Sequence, residues 1–323
     1  MSLSNMKVFQ TEVQTAVLEK LPQRLDKFNA ASRGAIVLTA QGFTGDYRYS
    51  NFYGSLAAAR RRVDRYAANS AASATNLAQL QEIGVKVAGG FGPVLWEPGQ
   101  MTWVGKTTAE AIDKCSEAMV DLIVQDELNT AIACLVGAIE AGTTNTVYDA
   151  ATSVFQYRHM NRAHALFGDH SDLIVANVMD GTSYHDLIDA NLANGQQLYQ
   201  QNGILVVDIL GKAVVVTDAP ALRESPSTTT NDAKVLGLVS GAATIYDASD
   251  VIVNIETSNG KQRIETTFQS DYTFGVALKG YAWDTATGGK SPTDAELATG
   301  ANWDKVASSW KHTAGVMATY ETK

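Results

Sequence analysis

The stretch "TTAEAIDKCSEAMVDLIVQDELNTAIACLVGAIEAG" constrains the fold more than any other part of the chain. Thr107 and Glu110 have the spacing of a capping box, which marks a helix start. Ile112, Cys115, Met119 and Leu122 keep one face apolar, as do Ile132, Leu135, Val136 and Ile139. Gly142 supplies a stop. A single helix from Thr107 to Ala141 would run about 50 Å, several times the ordinary length of about 11–12 residues. No heptad is sustained, so the segment is not a coiled coil. A lone helix of this length braces something extended. The alternative is two shorter helices broken near Asp126–Asn129. Cys115 and Cys134 would lie roughly 28 Å apart on the single helix, beyond disulfide reach, and read as small buried hydrophobes.

Upstream, Val13, Val17, Leu21 and Leu25 repeat at four-residue spacing, with Pro22 bending the pattern. A loop rich in Gly, Tyr and Phe follows, "QGFTGDYRYSNFYGSL". The next segment reads as a helix carrying Arg60, Arg61, Arg62 and Arg65, then a strand pair. In that pair "EIGVKVA" alternates, "GGFGP" turns and "VLWEPGQMTWV" returns. This region reads as a projecting arm and loop. Downstream, "QYRHMNRAHALFG" reads as helix, "DLIVANV" as buried strand and "TSYHDLIDANLA" as helix. Two strands flank a turn at Gly211–Lys212, and a loop covers 225–232. Further strands follow, with a two-residue hairpin turn at Asn259–Gly260 and a strand in "DYTFGVALKGYAWD". The tail carries Trp303 and Trp310. No internal repeat or low-complexity tract is present.

Composition narrows the function classes. The chain has 323 residues, 45% of them hydrophobic, which is ample for a core. Charged residues are only 18% and the formal net charge is −9. An acidic chain is a poor wrapper of nucleic acid, though it can enclose it and repel it from a wall. The N-terminus lacks a signal-peptide pattern. No segment reads as apolar enough to span a bilayer, so no membrane is expected.

Motifs with a mechanism are mostly missing: there is no phosphate loop, nucleophile elbow or zinc-protease helix. Gly89, Gly90 and Gly92 precede a proline and not a helix, so a turn is the better reading than a dinucleotide cradle. His159 and His164 sit about 140° apart on their helix and do not share a face, which makes a metal site dependent on distant help. The plain reading of that helix is a polar face and its cap. The acidic residues Asp46, Asp64, Glu82, Glu97, Asp113 and Glu117 are scattered, with no catalytic pair. Gly237 and Gly241 have GxxxG spacing but lie in no apolar 20-residue run. The arginine cluster reads as a solvated face or as ion pairs to a neighbouring chain, in preference to nucleic-acid contact. An enzyme reading survives in one form, an α/β fold using His164, Asp169 and His185.

The ordered set of elements resembles the major capsid proteins of tailed bacteriophages with the Hong Kong 97 fold. "EIGVKVAGGFGPV" looks like their loop hairpin, and "LIVQDELNTAIACLVGAI" like the second half of their spine helix. "MNRAHALFGDHSDLIVANVMDGTSYHDLIDANL" looks like their axial helix–strand–helix. "FGVALKGYAWD" and "WKHTAGVMA" look like their closing segments. The resemblance implies an α+β fold in four parts. These are an N-terminal arm (1–45), an extended loop (46–104), a peripheral domain (105–150 and 250–285, with the spine helix at about 107–141) and an axial domain (151–249). The segment 286–323 is left unplaced. It implies self-assembly through pentamers and hexamers into an icosahedral shell around double-stranded DNA, in a virion made in the bacterial cytoplasm. It implies no catalysis, cofactor or metal. A separate scaffolding protein and a portal are expected partners, a decoration protein stays open, and no covalent cross-link is expected. The contacts between copies are expected at Arg60, Arg61, Arg62, Arg65, Val94, Trp96, Trp103, Trp303 and Trp310, with intrachain core as the alternative for the tryptophans. An encapsulin-type compartment of the same fold is the second reading.

Overall fold

A computed structural model describes residues 15–17, 20, 29, 32–39, 41–54, 60–68, 76, 79–96, 108–150, 155–193, 211–223, 231–247, 250–259 and 265–322. In chain order the strands are β1 (Ile36–Thr39), β2 (Tyr47–Tyr53), β3 (Gln79–Trp96), β4 (Val147–Asp149), β5 (Ile174–Met179), β6 (Ala213–Val216) and β7 (Asn231–Val239). They continue with β8 (Ala243–Asp247), β9 (Ile252–Ser258), β10 (Glu265–Leu278), β11 (Tyr281–Trp283), β12 (Trp303–Lys305) and β13 (Gly315–Thr322). The helices are α1 (Thr108–Glu140), α2 (Tyr157–Ala165), α3 (Gly181–Ala193) and α4 (Asp294–Ala298).

Helix α1 is 33 residues long and runs unbroken through Asp126–Asn129, so the two-helix alternative does not form. The proposed capping residue Thr107 lies outside the described residues. The sequence suggested one apolar face. In the second half the helix is instead enclosed nearly all round, and Ala131, Ile132, Cys134, Leu135, Val136, Ala138 and Ile139 are each at most 5% exposed. A helix apolar on every side must be buried on every side. The segment Ser116–Glu140 is in fact long and apolar enough to cross a membrane by length and composition, which corrects the expectation that no segment is. Here two sheets cover it: α1 packs on β8 and β10 of the larger sheet and on β13 of the smaller one.

The larger sheet runs β1-β8-β10-β3-β11-β12, with β2 added to β3 and β9 added to β10. The smaller sheet runs β4-β13-β7-β5-β6. The chain changes sheet at Ser240–Ala242, between β7 and β8, where Gly241 takes a left-handed φ of +68°. This left-handed conformation carries no penalty for glycine. The crossing is tied to the chain's beginning: Gly241 N donates to Gly34 O at 2.7 Å, and Ala242 N donates to Ala35 O at 2.8 Å. Strand β1, which the sequence reading placed in the N-terminal arm, is thus a core strand parallel to β8, with Ile36 and Leu38 buried. The unplaced tail serves both sheets, since β12 pairs with β11 and β13 lies between β4 and β7.

Three further expectations change. Residues 79–96 form one continuous strand and not a strand pair. Gly89 and Gly90 sit where β3 meets β10 closely: a Cβ on Gly89 would lie 2.7 Å from the Tyr272 ring. Register then slips at a bulge, with Phe268 opposite Val94 and Ser270 opposite Phe91, which leaves Gly92 and Pro93 facing a single residue. A bulge tolerates a proline that donates no ladder bond. Residues 60–68 are coil and bend, not helix. The hairpin β9–β10 forms, but Ser258 pairs with Glu265; a two-residue turn at Asn259–Gly260 would have paired it with Lys261.

The second half of α1 meets the tail backbone to backbone. A Cβ on Gly137 would lie 2.2 Å from the carbonyl oxygen of Ala298. Gly137→Ala is expected to force α1 away from α4 and to destabilise the chain by about 1–3 kcal/mol, read as a lower midpoint in urea unfolding.

Candidate subunit-contact surface

Beyond the edge of β8, the outer halves of β3 and β10 continue with β9 as a three-stranded ribbon. Alternation gives it two faces. One carries Ile252, Asn254, Glu256, Gln269 and Asp271 and is exposed. The other carries Val253, Tyr272, Ile255, Phe268 and Val94. At the root of this second face Val253 and Tyr272 are buried, and the Tyr272 ring lies tilted against Phe91 at 5.5 Å and stacks with Phe274 at 6.2 Å. Farther out Ile255 and Phe268 are half-buried, and Val94 at the tip is 54% exposed. The apolar stripe therefore runs from the core to beyond the cover that the described residues give it. Leu95 beside it is 55% exposed. Burying such half-exposed aliphatic side chains contributes about 1 kcal/mol each.

A second exposed segment is the coil of residues 60–68. Arg60, Arg61, Arg62 and Arg65 are all exposed on it, with Val63 between them and Tyr66 directly after, and Tyr66 is 98% exposed. The Asp64 carboxylate accepts from Tyr66 N at 2.9 Å and pins the bend. Guanidinium groups interleaved with bare apolar side chains suit an acidic partner surface that also offers apolar area.

The tryptophans separate. Trp96 ends β3 opposite Thr266, and Trp103 lies outside the described residues. Trp303 is 3% exposed, edge-on to Trp283 at 4.9 Å, with its indole N–H donating to Leu297 O at 2.9 Å. It is intrachain core, a correction to its expected place between copies. Trp310 is half-buried near the end of α1, with the Lys305 ammonium 4.8 Å from its ring centre. Among the aromatic residues of β2, Tyr47 and Phe52 are half-buried, whereas Tyr49 and Tyr53 are exposed. Sequence reasoning missed Leu95, Ile252 and Tyr66. For Leu95 the signal was alternation along a longer strand, which the supposed turn interrupted; for Ile252 it was alternation along β9; Tyr66 lies on coil and carries no such signal.

The enzyme alternative loses its constellation. His164 is buried on α2 against Asn177 Oδ1 at 2.9 Å, and burial pushes its pKa down to about 4. Asp169 is on the surface paired with Lys311 at 2.5 Å, and His185 packs on Tyr184. His159 is also buried, with its Nδ1 accepting from Gln156 N at 3.3 Å in the capping box of α2. The two histidines are therefore core and cap, not a polar face. Among the described residues no group of three or more His, Cys, Asp or Glu side chains is placed to hold a metal.

Comparison with known proteins agrees with this geometry. A family described as Gp13-like, major capsid protein 13-like, matches residues 5–317. No curated protein matches the sequence. Three similar solved structures are the capsids of Ralstonia phage GP4, cyanophage Pam1 and Helicobacter pylori bacteriophage KHP30. The first is 12% identical with a TM-score of 0.55, covering 91% of this chain and 89% of that one. The second is 11% identical with a TM-score of 0.53, covering 88% of each chain. The third is 12% identical with a TM-score of 0.51, covering 91% and 89%. At these identities the likeness is one of fold.

If Val94 and Leu95 cover nothing within their own chain, Val94→Ser with Leu95→Ser should leave the stability of the isolated chain within about 0.5 kcal/mol of wild type. Urea unfolding of the soluble, unassembled protein checks this.

Proposed function

The chain belongs to the Gp13-like family of major capsid proteins, and from that premise we propose that its copies close through pentamers and hexamers into the icosahedral head shell of a tailed bacteriophage. It is a structural protein of the virion capsid and not an enzyme. The observation that carries the assembly reading is the apolar stripe of the ribbon, which outruns its own core at Val94. A neighbouring copy covers it. Val94, Trp96, Trp103 and the arginines Arg60, Arg61, Arg62 and Arg65 are the contacts between copies on this reading, and Trp310 is a lesser one. Each contact is shallow, and closure of the shell makes them act together, so weak individual affinities suffice.

In this arrangement the larger sheet with its ribbon and α1 forms the peripheral part, and the smaller sheet with α2 and α3 the axial part. The net charge of −9 suits a wall that encloses DNA without gripping it. Synthesis in the host cytoplasm, a separate scaffolding protein and a portal complete the proposal. No observation favours the encapsulin-type compartment over a phage head.

The test is negative-stain electron microscopy of the protein co-expressed with its scaffold. Wild type should give closed shells. Val94→Asp with Leu95→Asp, and separately Arg60→Glu, Arg61→Glu and Arg62→Glu together, should leave soluble capsomers or monomers with at least tenfold fewer shells. Intact shells in normal yield from both variants would overturn the contact assignment.

A further inference from the structure

One side chain in the core has no place in the packing or the shell contacts described so far. Glu127 lies midway along α1, on the face turned to the larger sheet. It is 0% exposed, and neither carboxyl oxygen has a hydrogen-bond partner among the described residues. A buried charge without a partner is among the costliest features a core can hold. The surroundings do not relieve it. The charges acting on Glu127 are those of Asp247, which ends β8 and is 4% exposed, and of its chain neighbour Asp126. From β10 the facing titratable group is Tyr272, whose hydroxyl donates to Asp126 Oδ2 at 2.5 Å. From α4 it is Asp294, whose charge acts on Asp126 and Tyr272. Every one of these groups is acidic.

We propose that Glu127 is a proton-held latch: as a neutral acid it lets the middle of α1 lie on β8 and β10, and its ionisation releases the helix from the larger sheet. The chemistry is a simple proton loss. The carboxyl O–H bond breaks, the proton goes to solvent hydroxide, and the carboxylate is left facing two others. Because water does not reach the group in the closed packing, the helix must lift for the proton to leave.

Burial first, then Asp247, then Asp126 raise the Glu127 pKa to about 9. The folded value lies above that of the free side chain. The latch is therefore fully closed below the ordinary glutamate range, weakens as pH rises through neutrality, and is lost through about pH 9. Between those limits the opening constant rises about tenfold per pH unit. Tyr272 does not compete, since burial and then its bond to Asp126 raise it well out of this window. The latch is a property of the single chain, so it stands or falls separately from the shell contacts.

Two measurements on the purified full chain test it. Infrared spectroscopy should show the carbonyl band of a protonated carboxyl at pH 7.5. That band should fade through about pH 9 and be missing from Glu127→Gln. Hydrogen exchange of the α1 amides around Glu127, corrected for the intrinsic rate, should lose about tenfold protection per pH unit from pH 6 to 9 in wild type. It should stay flat in Glu127→Gln, which mimics the neutral acid. No protonated-carboxyl band in wild type at pH 7.5, or equal protection profiles in the two proteins, would overturn the proposal.

Discussion

Everything in this fold depends on the enclosure of the second half of α1 between two sheets. Neither sheet is closed without it: the larger one would bare Phe274, Val276 and Leu278, and the smaller one Leu236 and Met317. The helix carries little polarity there because it meets no water there. Its end is finished by the chain itself. Thr146 Oγ1 donates to Ile139 O at 2.6 Å, and Lys234 on β7 pairs with Glu140 at 3.0 Å. The close approach at Gly137 then sets how tightly the tail segment lies across the helix. A rigid rod clamped at one end is a good mount for elements that must project, and the ribbon is rooted beside its middle through Tyr272 and Asp126.

The smaller sheet has its own polar anchor, separate from that rod. Asp180 caps α3 through Ser183 N at 2.9 Å and takes Arg223 on its other oxygen at 2.6 Å. Tyr320 on β13 donates to Ser183 Oγ at 2.5 Å, which links an inner strand of the sheet to the helix start. Each partner is satisfied, so the network orients α3 on the sheet without leaving a bare charge. The contrast with Glu127 is physical. Asp180 is a buried carboxylate with an arginine, and Glu127 is a buried carboxyl with none.

The sequence showed α1 almost to the residue, because a long apolar-faced run with a glycine stop has few local alternatives. It also showed α2, β5 and α3, whose periods change cleanly from one to the next. It misread what depends on distant partners. Gly89, Gly90, Gly92 and Pro93 look locally like a turn, and only Tyr272 and the bulge on β10 explain them as a single strand. Trp303 looked available until Trp283 and the Leu297 carbonyl enclosed it. Ile36–Thr39 looked like part of an arm because its partner, β8, comes two hundred or so residues later. Of the exposed side chains, the arginines were legible as charges that a core does not hold, whereas the exposure of Val94 follows from its place at the end of the ribbon. Leu95 and Ile252 needed the strand register to show which way they point, and Tyr66, on coil, needed the fold itself.

The position of β13 has a consequence for how the chain is made. The strand lies between β4 and β7 in the smaller sheet, yet it is the last of the five to leave the ribosome. Until it arrives, β4 and β7 have a gap between them, and the buried side chains Val316, Met317, Ala318 and Tyr320 are missing from the core. A chain interrupted during translation therefore holds an open sheet and an incompletely covered helix. Shell building tolerates few faulty bricks, and here the fold withholds a finished brick until translation has passed Thr322.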